Sequence, residues 1–130
     1  MKVYVWMPTN ELVGHASLEL SDGTYISWWP DEDKNKSLPM VTMKGHASSS
    51  LEEDIDGEGR QPTHEFTLKK KYDERKMKKW WDKFKYEGWY VLTGSNCCWV
   101  VYKALTEGGA PSEFHTIWKP VNIRDYAAKL

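Results

Sequence analysis

The sequence predicts a single α+β domain: an antiparallel sheet of about five strands with helices packed on it. Three observations carry this. Short β-favouring runs joined by turn residues occupy the first third of the chain. Two segments of helical period follow later rather than alternating with the strands. The length of 130 residues supports one sizeable core, burying roughly two-thirds of the unfolded surface, and leaves no room for a two-domain enzyme.

Residues 2 to 6 alternate Val3 and Val5 with Tyr4 and Trp6, and Pro8 ends this first strand. Residues 13 to 20 alternate again, Ser21-Asp22-Gly23 is a tight-turn signal, and Thr24 to Trp29 returns as the second arm of a hairpin before Pro30. Residues 31 to 62 are rich in Asp, Glu, Ser, Lys and Gly, and read as a long surface insertion. Within it, Asp54-Ile55-Asp56-Gly57-Glu58 lacks the spacing of a calcium loop and reads as a solvated acidic loop. Residues 64 to 68 form a further strand. Met77, Trp80, Trp81 and Phe84 then share one face of an amphipathic helix from about 73 to 86, with Lys and Arg on the rest. Trp89 to Leu92 lie between Gly88 and Gly94. A second helix runs from Cys97 to Leu105, capped by Asn96 and stopped by Gly108-Gly109. Phe114 to Trp118 read as a short strand, and Pro120 opens a terminal helix through Tyr126.

Composition narrows the function classes. Hydrophobic residues make up 40% and charged residues 28%, and 18 Lys and Arg stand against 19 Asp and Glu, which excludes a disordered chain and disfavours a strongly basic nucleic-acid binder. No apolar run approaches the ~20 residues of a membrane span, and residues 1 to 8 lack the apolar stretch of a secretory signal, so the expected compartment is cytoplasmic. Delivery by a signal-free route, or excision from a longer chain, would give the same pattern. Residues 1 to 68 hold five Lys and Arg against twelve Asp and Glu, and residues 69 to 130 hold thirteen against seven, so the halves are expected to attract each other. The eight Trp are expected mainly in the core.

The chemistry centres on two adjacent cysteines, Cys97 and Cys98. Neighbouring cysteines rarely bridge and no distant partner exists, so at least one thiol is free, and a structural zinc site is not expected. A thiol becomes nucleophilic when its thiolate is stabilised, and the first turn of a helix does this through unpaired N–H groups and the positive dipole end. With Asn96 as N-cap, Cys97 takes the first helical position on the core-facing side, and Cys98 lies ~100° around the helix as a buried neighbour. Histidine is the expected base, with four candidates: His15, His46, His64 and His115. His46 sits in the insertion, His64 opens a strand beside Pro62, and His115 has no local support. His15 follows a glycine and begins a strand expected in the middle of the sheet, which makes it the first choice.

Gly14-His15-Ala16-Ser17-Leu18-Glu19-Leu20-Ser21-Asp22-Gly23-Thr24-Tyr25-Ile26-Ser27-Trp28-Trp29-Pro30, followed by Asn96-Cys97-Cys98-Trp99-Val100-Val101-Tyr102-Lys103-Ala104-Leu105, resembles the circularly permuted NlpC-like papain-fold hydrolases. That group includes the lecithin:retinol acyltransferase-like enzymes, in which histidine comes first in the chain and cysteine last. The resemblance implies a strand-borne base at His15, a third polar member twelve positions later at Ser27, and the nucleophile at Cys97. Ser27 departs from the histidine usual in the acyltransferase relatives, and a serine stabilises imidazolium less than a carboxylate does. Ser17 and Glu19 share the alternation of His15, which makes Glu19 a reserve orienter.

What the resemblance implies is acyl chemistry through a thioester, with His15 as base and then acid and the Cys97 N–H in the oxyanion hole, without a cofactor or metal. The substrate would be a peptide, another amide, or an acyl ester of a lipid. Trp28 and Trp29, next to Ser27, are candidate walls of the substrate groove, although core packing is the plainer reading. A reading from another class rests on residues 69 to 85, with nine Lys and Arg against three Asp and Glu: a non-catalytic module that engages a membrane surface or a partner through this basic helix or through the groove, nucleic acid being disfavoured.

Overall fold

The computed structural model describes residues 1–30, 42–91 and 94–130, with residues 42 and 43 as backbone. In chain order the described elements are β1 (Lys2–Trp6), β2 (His15–Glu19), β3 (Tyr25–Ile26), β4 (Trp28–Pro30), β5 (Thr42–Ala47), α1 (Leu51–Glu58), β6 (His64–Thr67), α2 (Glu74–Glu87), β7 (Trp89–Val91), α3 (Cys97–Glu107) and α4 (Pro120–Ala128). The class is α+β, as the sequence predicts. The strands form two antiparallel sheets, of four strands in the order β3-β2-β1-β6 and of three in the order β4-β5-β7, rather than one of about five.

Strand alternation explains how the larger sheet is used. Val3, Val5, Ala16, Leu18 and Ile26 face the main core, which Val100, Val101, Ala104 and Leu105 of α3 and Ile123 and Tyr126 of α4 complete. Tyr4, Trp6 and Tyr25 form a second cluster on the opposite face, closed by Leu51 and Ile55 of α1. Truncating a core side chain such as Leu105 to Ala costs about 2–5 kcal/mol, because transfer and cavity terms add. α2 lays Met77 and Trp81 against this core, and its neighbour Phe84 meets the Trp28 ring at 4.9 Å between centroids. The Trp28 indole lies so close across Gly45 that a Cβ there would overlap it.

The two sheets part at Ser27, between β3 and β4. Its carbonyl accepts from Ser48 N–H at 3.1 Å, which ties the segment after β5 to the junction. The break turns the Ser27 side chain inward, where it has no exposure.

Three expectations need correction. The stretch from 31 to 62 is not simply a surface insertion: residues 42–47 are a strand paired on both sides and residues 51–58 are a helix with buried members, while residues 31–41 lie outside the described part. The residues expected as a solvated acidic loop are mostly the last two turns of α1, with Asp54 fully buried and Glu58 nearly so. Phe114 to Trp118 form no strand. Trp118 instead stacks on Tyr102 at 4.1 Å, and the Tyr126 hydroxyl holds Pro111 O at 2.7 Å. Among the described residues, Lys78 with Asp22 is the ion pair that joins the acidic and basic halves; the other lysine and arginine pairs stay within one half.

Candidate active site

The site is assembled by the ends of elements. Asn96 caps α3 as expected: its Oδ1 accepts the Trp99 N–H at 2.9 Å and its Nδ2 donates to Trp118 O at 2.9 Å, fixing the helix start against the segment before α4. Cys97 and Cys98 are then the first two helical residues, both free thiols, 6% and 2% exposed. Their sulfurs are 3.9 Å apart. Gly14 has φ 87°, and a Cβ there would overlap the Trp6 carbonyl, so only glycine lets the chain turn closely into β2 and deliver His15 beside α3.

The His15 imidazole is enclosed. Trp29 stacks on it at 4.2 Å and 26°, and Trp6 lies 5.4 Å away. Its Nε2 is 2.9 Å from Ser27 Oγ, the contact the resemblance implies, and 3.1 Å from Asp54 Oδ2. A carboxylate is acceptor only, so Nε2 carries the proton toward Asp54 and Nδ1 is left for the thiol. Asp54 itself accepts from Tyr25 Oη at 2.6 Å, from Ser27 Oγ at 2.7 Å and from Trp29 Nε1 at 2.7 Å. Ser17 completes the chain by meeting the Tyr25 hydroxyl at 2.6 Å.

Electrostatics follow from this packing. Burial alone would raise the Asp54 carboxyl, but the hydrogen bond and charge of His15, with the Tyr25 and Ser27 hydroxyls, outweigh it and hold the pKa at about 2. Burial alone would lower His15, yet the Cys97 charge and the Asp54 hydrogen bond raise it to about 9. The Cys98 hydrogen bond works against burial, and with the His15 charge and the Ala16 N–H it brings the Cys97 thiol well below its ordinary value. Both shifts favour a thiolate on Cys97 and an imidazolium on His15, with Asp54 behind the ring.

Cys97 opens onto a cavity of about 240 Å³. Its walls are mostly apolar, from Val13, Tyr90, Ile117, Trp118 and Pro120, with the exposed Lys119 contributing a charge. The Tyr90 hydroxyl lies beside Cys97, and burial together with both cysteines pushes its pKa above the ordinary value. Cys97 therefore borders the cavity, while the His15 imidazole is enclosed and does not line it.

The sequence-predicted residues divide accordingly. Cys97, His15, Ser27, Asn96 and Cys98 come together. Glu19 does not: it lies along the same strand face but accepts from Tyr4 Oη at 2.9 Å, four register positions from His15. Trp28 and Trp29 are not walls of the Cys97 cavity; Trp28 is in the core and Trp29 covers the imidazole. His46 sits on β5, His64 meets Thr63 at 3.0 Å, and His115 meets Glu113 at 2.6 Å.

Asp54 is the residue that sequence reasoning missed. Its signal was present in Ser50-Leu51-Glu52-Glu53, a capping pattern followed by Leu51 and Ile55 four apart. In the structure Ser50 Oγ accepts the Glu53 N–H at 3.2 Å, and Glu53 reaches back to the Ser49 N–H at 2.9 Å. Among the described residues no group of three His, Cys, Asp or Glu side chains is arranged to hold a metal ion, and no helix is long and apolar enough to cross a membrane. No protein-family model, curated protein or solved structure matches the chain.

Proposed function

We propose that this chain is a cysteine-dependent hydrolase of the permuted papain type, cleaving an amide through a thioester. The observation that carries the proposal is the buried set Cys97, His15 and Asp54, of which Cys97 lines the cavity. The order of the parts along the chain, base first and nucleophile later, supports the permuted arrangement.

In this reading the Cys97 thiolate attacks the substrate carbonyl carbon and the carbonyl π pair moves to oxygen. The Cys97 N–H at the start of α3 stabilises that oxyanion. The tetrahedral adduct collapses, the C–N bond breaks, and the imidazolium of His15 gives its proton to the departing amine. His15, now neutral, takes a proton from water as the water attacks the thioester, and the acid leaves with the thiolate restored. Asp54 keeps Nε2 protonated throughout, so that Nδ1 is the nitrogen that exchanges the proton, while Ser27 braces the contact.

A second reading is favoured by the lining of the cavity. Its apolar walls suit an acyl chain, which would make the same thioester from a lipid ester and pass the acyl group to an acceptor other than water. Both readings require a covalent acyl group on Cys97. Incubation with a panel of p-nitrophenyl esters and p-nitroanilides, acid quench and mass spectrometry should find that group on Cys97, and Cys97→Ala should lose turnover by about a thousandfold or more while still folding. Turnover unchanged in Cys97→Ala, or no adduct with any member of the panel, would overturn the proposal. It would leave a binding module acting through the groove or α2.

A further inference from the structure

A thiol at the second position of a buried helix start would ordinarily be a small hydrophobe, replaceable by Ala or Val. Cys98 differs in what it touches. Its sulfur is 3.9 Å from Cys97 Sγ, within reach of an S–H to sulfur hydrogen bond, and both residues line the same cavity. At 2% exposure it has little access to water as a partner for its proton.

We propose that Cys98 is a positioning residue for the nucleophile: its S–H donates to the Cys97 sulfur, holding that sulfur ionised and fixing its direction at the cavity floor. The proposal rests on the reading of Cys97 as nucleophile and adds a member to it that the motif order does not supply.

The surroundings divide the labour between the two thiols. Cys97 is faced by His15 from β2, by the Tyr90 hydroxyl from β7, by Cys98 on its own helix and by Lys119 just before α4, with Asp54 behind His15. Cys98 is faced by the Cys97 charge and by the buried Glu58 carboxyl of α1, and burial adds to both, so its proton is held more firmly than in an ordinary thiol. One sulfur is set to lose its proton and the other to keep it. That is the condition for a donor and an acceptor rather than for two competing nucleophiles.

The test separates hydrogen bonding from packing by using substitutions in pairs of like shape. Cys98→Thr and Cys98→Val differ in a hydroxyl against a methyl, and Cys98→Ser and Cys98→Ala differ in the presence of a donor. For each folded variant the rate of Cys97 alkylation by iodoacetamide is followed across pH by site-resolved mass spectrometry. Val and Ala are expected to move the midpoint of the Cys97 alkylation profile up by about one pH unit, making alkylation on its acidic limb about tenfold slower, and Thr and Ser to restore it. If Ala does not fold, the Thr and Val pair decides. An equal shift in Thr and Val, or no shift in any variant, overturns the proposal and leaves Cys98 as packing. A wild-type Cys97 that alkylates only like a free thiol overturns the nucleophile reading itself, and this outcome is distinct because no variant enters it.

Discussion

Asp54 has no solvent exposure, yet its carboxyl is held below the ordinary range, because donors from His15, Tyr25, Ser27 and Trp29 meet it. This changes the roles of the residues around it. Ser27 stands where the resemblance places the third member, but the charge opposite the imidazole is that of Asp54, which contacts Nε2 directly. Asp54→Asn keeps the shape and removes the charge. It should slow Cys97 alkylation near neutral pH by about tenfold or more, since the imidazolium loses its counter-charge and the thiolate its partner. Ser27→Ala should have the smaller effect, with about 1 kcal/mol of stability lost with the hydrogen bond. Alkylation rates of both variants, measured beside wild type, check the order; a larger effect in Ser27→Ala would return the third role to serine. The placement of His15, Cys97 and Asn96 was legible because a histidine opening a strand and a capped cysteine opening a helix leave local marks in sequence. Asp54 was marked only indirectly, by the Ser50 cap that opens its helix, since an aspartate in an acidic stretch looks solvated until its long-range partners are known.

The elements differ in how plainly the sequence declares them. α2 and α3 show 3.6-residue periodicity over two turns or more, and β1, β2 and β6 alternate, because one face of each meets an apolar core. α1 does not read this way. It has eight residues, and its inward face carries Asp54 and Glu58 beside Leu51 and Ile55, so polar contacts replace the apolar stripe. β5 is similarly mute, as Gly45 is there to accommodate the Trp28 ring rather than to fill a core. Phe114 to Trp118 misled in the opposite direction, having β-favouring residues whose Trp118 packs on Tyr102 and His115 instead of entering a sheet. The position of Asp54 depends on where α1 begins, and that start is set by Ser50. Ser50→Ala should cost about 1 kcal/mol of stability and, by loosening α1, slow Cys97 alkylation as well. Denaturant midpoints and alkylation rates together check this. A stability loss with unchanged reactivity would mean that α1 is held in place by Leu51 and Ile55 alone.

Across the whole molecule, the site lies where two antiparallel sheets separate and α1 and α3 meet β2. β2 brings the imidazole, Ser27 at the junction contacts it, α1 brings the carboxylate, and α3 brings the thiol. Raised above 6.5 to about 9, His15 contributes stability that is complete below its ordinary pKa and lost as pH rises through the folded value. Asp54, lowered from 3.8 to about 2, contributes stability that is present above 3.8 and lost as pH falls through the folded value. Between these limits His15 is held charged against both Asp54 and Cys97. The most direct measurement is a pH titration of the His15 ring nitrogens by ¹⁵N NMR, with Cys97→Ser as the partner sample. The thiolate–imidazolium pair requires His15 to be protonated at pH 7, to titrate near 9, to keep Nε2–H throughout, and to titrate lower once Cys97 is serine. A His15 that is neutral at pH 7, titrating at or below 6.5 and indifferent to Cys97, would contradict it.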